Sequence, residues 1–267
     1  MICKRIMLDE ADENVYLDAY IADKITGFTR KAILVIPGGG YGQVCSDREG
    51  EPIAQAFIPY GYNAFVLNYS TKSTSDKHFP AQLIQASKAM KHIKDNADEY
   101  GIDSEKVFAV GFSAGGHLTA SLGSMWDLPE IYENVEMPYG YNKPAGTMLI
   151  YPVLSDHMGS FKNLLGEEAP TEEQLDRVRI HKHISENSSP VFMVHTSNDR
   201  TVNVKNSLEL ATVCAEKGIL FELHVYPDAP HGAALANEIT MCGNPKYNYP
   251  AMSKWIENAV EWAETIE

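Results

Sequence analysis

Short apolar runs alternate with segments of helical periodicity from one end of this 267-residue chain to the other. Residues 32–36 (AILVI) and 64–67 (AFVL) are apolar at every position, and a strand of that kind must be covered on both faces. Between Pro80 and Gly101 the positions Leu83, Ala86, Met90, Ile93 and Ala97 recur at intervals of three and four, with proline at the entry and glycine at the exit. That spacing predicts a helix. Val204, Leu208, Ala211 and Ala215 repeat the pattern before Gly218, and Met252, Trp255, Ile256, Ala259 and Ala263 repeat it after Pro250. These stripes read as faces turned to a core. The alternation predicts an α/β fold, a single domain over residues 1–267 with a mostly parallel central sheet flanked by helices. Residues 14–21 alternate polar and apolar at period two, as an antiparallel strand near the sheet edge does.

Two stretches break the rhythm. Residues 127–144 contain three prolines together with Tyr132, Tyr139 and Tyr141, which predicts an irregular excursion. Residues 155–189 follow an apolar strand at 148–154 and are polar and weakly helical; a small cap inserted after the sixth strand is one reading of them.

A formal net charge of -14 argues against nucleic-acid partners, because counterion release needs clustered Lys and Arg. No apolar run approaches the roughly 18 residues that a membrane span needs. The first ten residues lack the apolar core of a signal peptide, so a cytoplasmic location is expected. Cys3, Cys45, Cys214 and Cys242 have no C-x-x-C spacing and read as free thiols. The nine histidines include no H-E-x-x-H, and neither a metal nor another cofactor is expected.

Chemistry enters at Gly111-Phe112-Ser113-Ala114-Gly115, a G-x-S-x-G pattern after the apolar stretch 106–110 and before the helical stretch 117–122. Glycines two residues either side of Ser113 permit a strand-to-helix turn tight enough to project the hydroxyl. A serine hydroxyl is a poor nucleophile at neutral pH and needs a base, which in turn needs an orienting group. Asp199, in the loop after the strand 191–195, is the candidate orienter, and His231, after the strand 220–226, is the candidate base. Asp156 and Asp228 stand as alternative acids; His195 and His224 fall inside strands and read as packed or surface side chains. The order Ser, Asp, His, each just past a strand, brings the three to the carboxyl ends of a parallel sheet.

Pro37-Gly38-Gly39-Gly40-Tyr41 follows the strand 32–36 and can offer backbone N–H groups to an oxyanion, with a further donor at Ala114. A phosphate cradle is the competing reading of such a loop, but no G-K-[ST] follows and there is no G-x-G-x-x-G. Tyr41, Tyr69, Trp126, Tyr139 and Tyr141 are candidate sugar-facing rings, with packing as the default for most of them.

These motifs, together with Ser46-Asp47-Arg48-Glu49-Gly50-Glu51-Pro52-Ile53-Ala54, Gly61-Tyr62 and Asn68-Tyr69, resemble the α/β-hydrolase superfamily. Within it, the likeness is to the carbohydrate-esterase-like group that includes acetylxylan esterases and relatives of hormone-sensitive lipase. The resemblance runs from about residue 14 to the C-terminus. It implies a triad of Ser113, Asp199 and His231 and an oxyanion hole drawn from Gly39, Gly40 or Tyr41 with Ala114. It also implies a serine carboxylesterase acting on a small acyl ester, acetyl from a carbohydrate foremost. Pro37 departs from the histidine of lipase-like relatives and Thr196 from a common glycine, which leaves open which loop N–H groups face the oxyanion. An amidase, peptidase or formamidase with the same triad remains an alternative, as does a non-catalytic binding protein. A lipase fits less well, because 155–189 lacks a strongly amphipathic lid. A homodimer is the general expectation for an enzyme of this size, without a residue that argues for it.

Overall fold

A computed structural model describes residues 1–266. Eight strands form one sheet: β1 (Ile2–Met7), β2 (Tyr16–Ile21), β3 (Arg30–Ile36), β4 (Tyr62–Asn68), β5 (Ile102–Phe112), β6 (Thr147–Ile150), β7 (Val191–Thr196) and β8 (Phe221–Tyr226), in the order β1-β2-β4-β3-β5-β6-β7-β8. β2 runs antiparallel to both β1 and β4, and all other pairings are parallel. The central parallel strands β3, β4, β6 and β7 are largely buried along their length and mostly apolar, as cover on both faces demands, whereas the edge strand β8 (FELHVY) is only partly buried.

The helices along the chain are α1 (Ser46–Glu49), α2 (Glu51–Phe57), α3 (Ala81–Asp95), α4 (Ala97–Tyr100), α5 (Ala114–Ser124) and α6 (Pro129–Asn134). They are followed by α7 (Met158–Leu165), α8 (Glu172–Asp176), α9 (Lys205–Lys217), α10 (Pro250–Ser253) and α11 (Trp255–Glu264). On one face of the sheet Leu83, Met90 and Ile93 of α3 and Leu118 and Leu122 of α5 pack on Leu34, Ile36 and Ala109. On the other, Ile53 and Phe57 of α2 and Trp255 and Trp262 of α11 pack on Ile33, Val35, Phe108 and Phe112. Side chains that alternate along β3 are thus split between two cores. Trp255 is fully buried, meets Phe57 and Phe112 edge-on, and donates from Nε1 to the Ala234 carbonyl at 3.0 Å. The core below β5 thereby also holds the loop that follows His231.

The sequence expectations depart from these elements in several places. The helix expected between Pro80 and Gly101 is interrupted at Asn96, whose backbone leaves the helical region (φ -102°, ψ 18°) while its Nδ2 donates to the His92 carbonyl. The strand expected over 148–154 ends at Ile150, because Tyr151 has a φ of 40° and Pro152 has no N–H to give a ladder. The helix after Pro250 comes in two pieces, and β1 carries no apolar pattern because five of its six residues are exposed. Residues 127–144 include the helix α6 within the irregular stretch. Residues 155–189 hold α7, α8 and a short 3-10 turn at Ile180–Lys182. This segment rests on the loop after β3, with Asn163 Nδ2 donating to the Gly40 carbonyl at 3.0 Å. Among the described residues no helix is long and apolar enough to cross a membrane.

Candidate active site

Ser113 stands where β5 passes into α5, with a φ of 52° that a residue with a β-carbon rarely adopts. Such a conformation costs about 1–3 kcal/mol and persists only where its surroundings enforce it. Here Ser113 N–H donates to the Ile150 carbonyl at 3.0 Å, and the Ser113 carbonyl accepts from His117 N–H (3.1 Å) and Val153 N–H (3.0 Å). A β-carbon on Gly111 would lie 2.1 Å from Thr119 Oγ1, and one on Gly115 would lie 2.1 Å from the Ile36 carbonyl oxygen. Both glycines of the pattern are required by close approach.

The structure brings the two remote candidates to this serine. His231 Nε2 is 2.8 Å from Ser113 Oγ, and His231 Nδ1 is 2.7 Å from Asp199 Oδ2. A carboxylate only accepts, so the imidazole proton sits on Nδ1 and Nε2 is left to accept from the hydroxyl. Asp199 Oδ1 accepts from the N–H groups of Thr201 (2.8 Å) and Val202 (2.9 Å), which fixes the carboxylate plane. The Asp199 side chain is 1% exposed and that of His231 15%, so the acid is sealed and the base is open to a reactant. Burial works against the Asp199 charge, but contacts from His195 and His231 and the Val202 N–H outweigh it and hold the carboxyl well below its ordinary value. Asp156 and Asp228 are exposed, and Asp228 instead accepts from Asn198. Of the other histidines, His224 pairs with Glu222 at 2.6 Å, and His195 is buried between Ser207 Oγ (2.8 Å) and the Val202 carbonyl (3.0 Å). His195 Nε2 is 3.6 Å from Asp199 Oδ2, an electrostatic contact too long for a hydrogen bond.

The glycine loop closes the other side. Gly39, Gly40 and Tyr41 have φ values of 125°, 63° and 57°, a run of positive-φ backbone that glycine adopts readily and a tyrosine rarely does. Their carbonyls are engaged: Gly39 by the N–H groups of Gly42 and Gln43, Gly40 by Asn163, Tyr41 by Lys72 N–H. Among the described residues the N–H groups of Gly39, Gly40 and Tyr41 meet no acceptor, and Ala114 N–H, opening α5, lacks an intrahelical one. Gly38 has no such freedom, since its N–H donates to Glu49 Oε2 at 2.8 Å. A β-carbon on Gly38 would lie 3.0 Å from Ser113 Cβ, so the loop abuts the elbow.

Three supporting residues have no role in the sequence reading. Glu49 is buried, and its Oε1 accepts from Tyr151 Oη at 2.8 Å. Tyr151 Oη in turn accepts from Ala234 N–H at 2.9 Å, and the Tyr151 ring meets the His231 ring edge-on at 4.8 Å between centroids. Burial raises the Glu49 carboxyl, against the Tyr151 hydroxyl and Gly38 N–H that favour its charge. His117 is buried between Tyr41 Oη and the Val178 carbonyl. The one local signal for Glu49 is its place in the S-D-R-E-G stretch; for Tyr151 and His117 the partners are too distant in sequence to be read.

For two of the five candidate rings a sugar-facing role is overturned by burial. Tyr41 and Tyr69 are buried, with Tyr69 Oη donating to the Pro37 carbonyl at 2.8 Å. Trp126, Tyr139 and Tyr141 lie past the far end of α5, where Trp126 packs on Tyr139 and donates to the Asn187 carbonyl. Among the described residues no three His, Cys, Asp or Glu side chains converge as a metal site would require, and the four cysteines are free thiols.

The BD-FAE family profile matches residues 17–153, a span that includes the glycine loop and the Ser113 elbow. The chain is 38% identical over 215 residues to endo-1,4-beta-xylanase B of Butyrivibrio fibrisolvens, covering 78% of this chain and 33% of that protein. It is 27% identical over 213 residues to an acetylxylan esterase of Xylanibacter ruminicola, covering 76% and 41%. The chain thus spans about a third to two fifths of the length of these curated relatives. An acetyl ester-xyloside bifunctional hydrolase from Caldicellulosiruptor lactoaceticus superposes with a TM-score of 0.83 at 31% identity, over 98% of this chain and 96% of that one.

Proposed function

The chain belongs to the BD-FAE family of α/β-hydrolases, and from that premise we propose that it is a serine carboxylesterase that removes short acyl groups, acetyl foremost, from a carbohydrate. One observation carries the reading: a single imidazole lies within hydrogen-bond reach of both the elbow serine and a sealed carboxylate. In this reading Ser113 Oγ attacks the ester carbonyl while His231 Nε2 takes its proton. Asp199 holds the Nδ1 proton and stabilises the imidazolium that forms. Negative charge develops on the former carbonyl oxygen, and Ala114 N–H with the N–H groups of Gly39, Gly40 or Tyr41 receives it. The leaving alcohol takes its proton from His231, and a water activated by the same nitrogen releases the acid. The whole chain works as one domain, with residues 155–189 as a small cap that braces the glycine loop through Asn163.

The acetyl-carbohydrate part rests on the names of the relatives, which are an acetylxylan esterase and an acetyl ester-xyloside hydrolase. The test is acetate release from p-nitrophenyl acetate and from acetylated xylo-oligosaccharides, with an acetamide analogue in parallel. Ser113→Ala is expected to abolish turnover of both esters. Undiminished turnover in that variant sinks the mechanism, and faster cleavage of the amide would replace the esterase with an amidase.

A further inference from the structure

A cleft of about 570 Å³ opens beside His231, walled by Arg200, Thr201, Pro230, Lys246 and Tyr247. In the reaction proposed above the alcohol is protonated by His231 Nε2, so the alcohol half of an ester has to lie against this histidine, which also lines the cleft. Two cations on that wall, Arg200 and Lys246, are exposed. Among the described residues no carboxylate lies within 4.0 Å of either cation, a state they share with other exposed lysines such as Lys217 and Lys254, so it is their place in the cleft that sets them apart. Asp228 also lines the cleft, but its Oδ1 accepts from Asn198 Nδ2. Tyr247 is half-buried and adds a flat apolar ring of the kind that covers a pyranose, with the Arg48 guanidinium 5.9 Å from its centroid.

Two cations in a cleft that shares its wall with the histidine that must protonate the alcohol are a charge arrangement for an anionic alcohol. We propose that the cleft is a subsite for the carboxylate of an acidic sugar, so that the preferred substrate is an acetyl ester on a saccharide that carries a uronic acid. The inference rests on the esterase reading and adds to it the charge of the alcohol half. Arg200 is the better-suited partner, because a planar guanidinium accepts a carboxylate in two parallel bonds, whereas Lys246 acts as a point charge.

The experiment compares two acetylated methyl glycosides that differ in one group, glucuronic acid and its carboxamide, by direct measurement of acetate. Wild-type protein is expected to show a kcat/KM about fivefold higher for the acid at low salt, with the ratio shrinking in 0.5 M NaCl. Arg200→Met and Lys246→Met are each expected to lower the ratio, and the double variant to bring it to about one. Turnover of the carboxamide in the same variants reports whether the triad is intact. A wild-type ratio at or below one with good carboxamide turnover overturns the subsite and leaves the esterase reading standing, as does a ratio that survives the double substitution. No acetate from either substrate or from p-nitrophenyl acetate, with no fluorophosphonate label on Ser113, overturns both.

Discussion

His117 Nδ1 lies 2.7 Å from Tyr41 Oη, which ties the first turn of α5 to the glycine loop. The other ring nitrogen, Nε2, is 2.6 Å from the Val178 carbonyl and must donate to it, so Nδ1 is the acceptor and Tyr41 the donor. One buried imidazole therefore joins three segments: the helix that starts at the elbow serine, the loop with the free N–H groups, and the stretch after β6. The left-handed backbone of Tyr41 is held from its side-chain end, which is how a conformation of this kind is kept in place.

Protonation of His117 would remove the acceptor, and the site resists it: burial lowers its pKa from 6.5 to about 4, despite the Val178 carbonyl. Below pH 6.5 the unfolded chain takes up a proton at this residue that the folded chain refuses, so stability falls with pH until about pH 4, where the folded form titrates as well. The full loss is about 3 kcal/mol, with a slope near 1.4 kcal/mol per pH unit between these values. Urea unfolding between pH 4 and 8 measures it. His117→Gln should lower overall stability yet remove about one proton from the slope; a slope equal to that of the wild type would show that His117 does not titrate as described.

How much of this was readable from the chain depends on whether a signal is local. The elbow, the glycine loop and the stripes of α3 and α11 are written in residues a few positions apart, and Ser113, Asp199 and His231 each follow a strand closely enough to be placed. On α9 the stripe is misread, since Leu208 and Ala215 are exposed while Leu210, Ala211 and Cys214 face the core. β1 has no signal because an edge strand exposed along its length buries no alternating face. The early end of β6 turns on the φ of Tyr151, which a tyrosine does not advertise. Glu49 looks like one more acid of a surface helix until the fold delivers Gly38 N–H to one oxygen and Tyr151, 102 residues away, to the other.

In the proposed triad, the acid is separable from its rivals by substitution. Asp199→Asn is expected to lower kcat by about 10³–10⁴, since an amide in place of Oδ2 presents a donor to His231 and turns the imidazole to the wrong tautomer. Asp156→Asn and Asp228→Asn change exposed carboxylates with no bond to His231 and should leave kcat within about twofold. A collapse of activity in either of these, with Asp199→Asn near wild type, would reassign the acid. Asp199 also carries an acid-linked term: its carboxyl is depressed on folding, so the stability it contributes is present above the ordinary aspartate pKa and is lost as pH falls through the folded value.

Tyr151→Phe removes one oxygen that serves two partners. The Glu49 carboxylate loses its hydroxyl donor and Ala234 N–H loses its acceptor, both in the buried interior, while the ring stays beside His231. A bond to a charged group together with an orphaned N–H is worth roughly 2–4 kcal/mol, readable as a fall in the urea midpoint at unchanged m-value. Since Ala234 lies three residues past His231, kcat should fall as well. Wild-type stability in this variant would mean that water or a rearranged side chain replaces the hydroxyl at no cost.

The glycines of the elbow make a prediction that separates close approach from backbone freedom. Gly115 is helical, so alanine is conformationally acceptable there, but its β-carbon would stand 2.1 Å from the Ile36 carbonyl oxygen and 2.4 Å from that of Pro37. Both obstacles are backbone, at the end of the strand that leads into the glycine loop, and neither can swing aside. Gly61 is the converse case, with a φ of 85° and nothing within 4 Å of the place a methyl group would take. Gly61→Ala should cost only the left-handed penalty of about 1 kcal/mol. Gly115→Ala should cost about 3 kcal/mol or more, since α5 has to move off β3. It should also depress activity beyond its effect on folding, because Ser113 and Ala114 N–H move with the helix. Unfolding curves and residual esterase activity of the two variants, measured side by side, decide the matter: equal and small losses would mean that the elbow tolerates a displacement its packing does not allow.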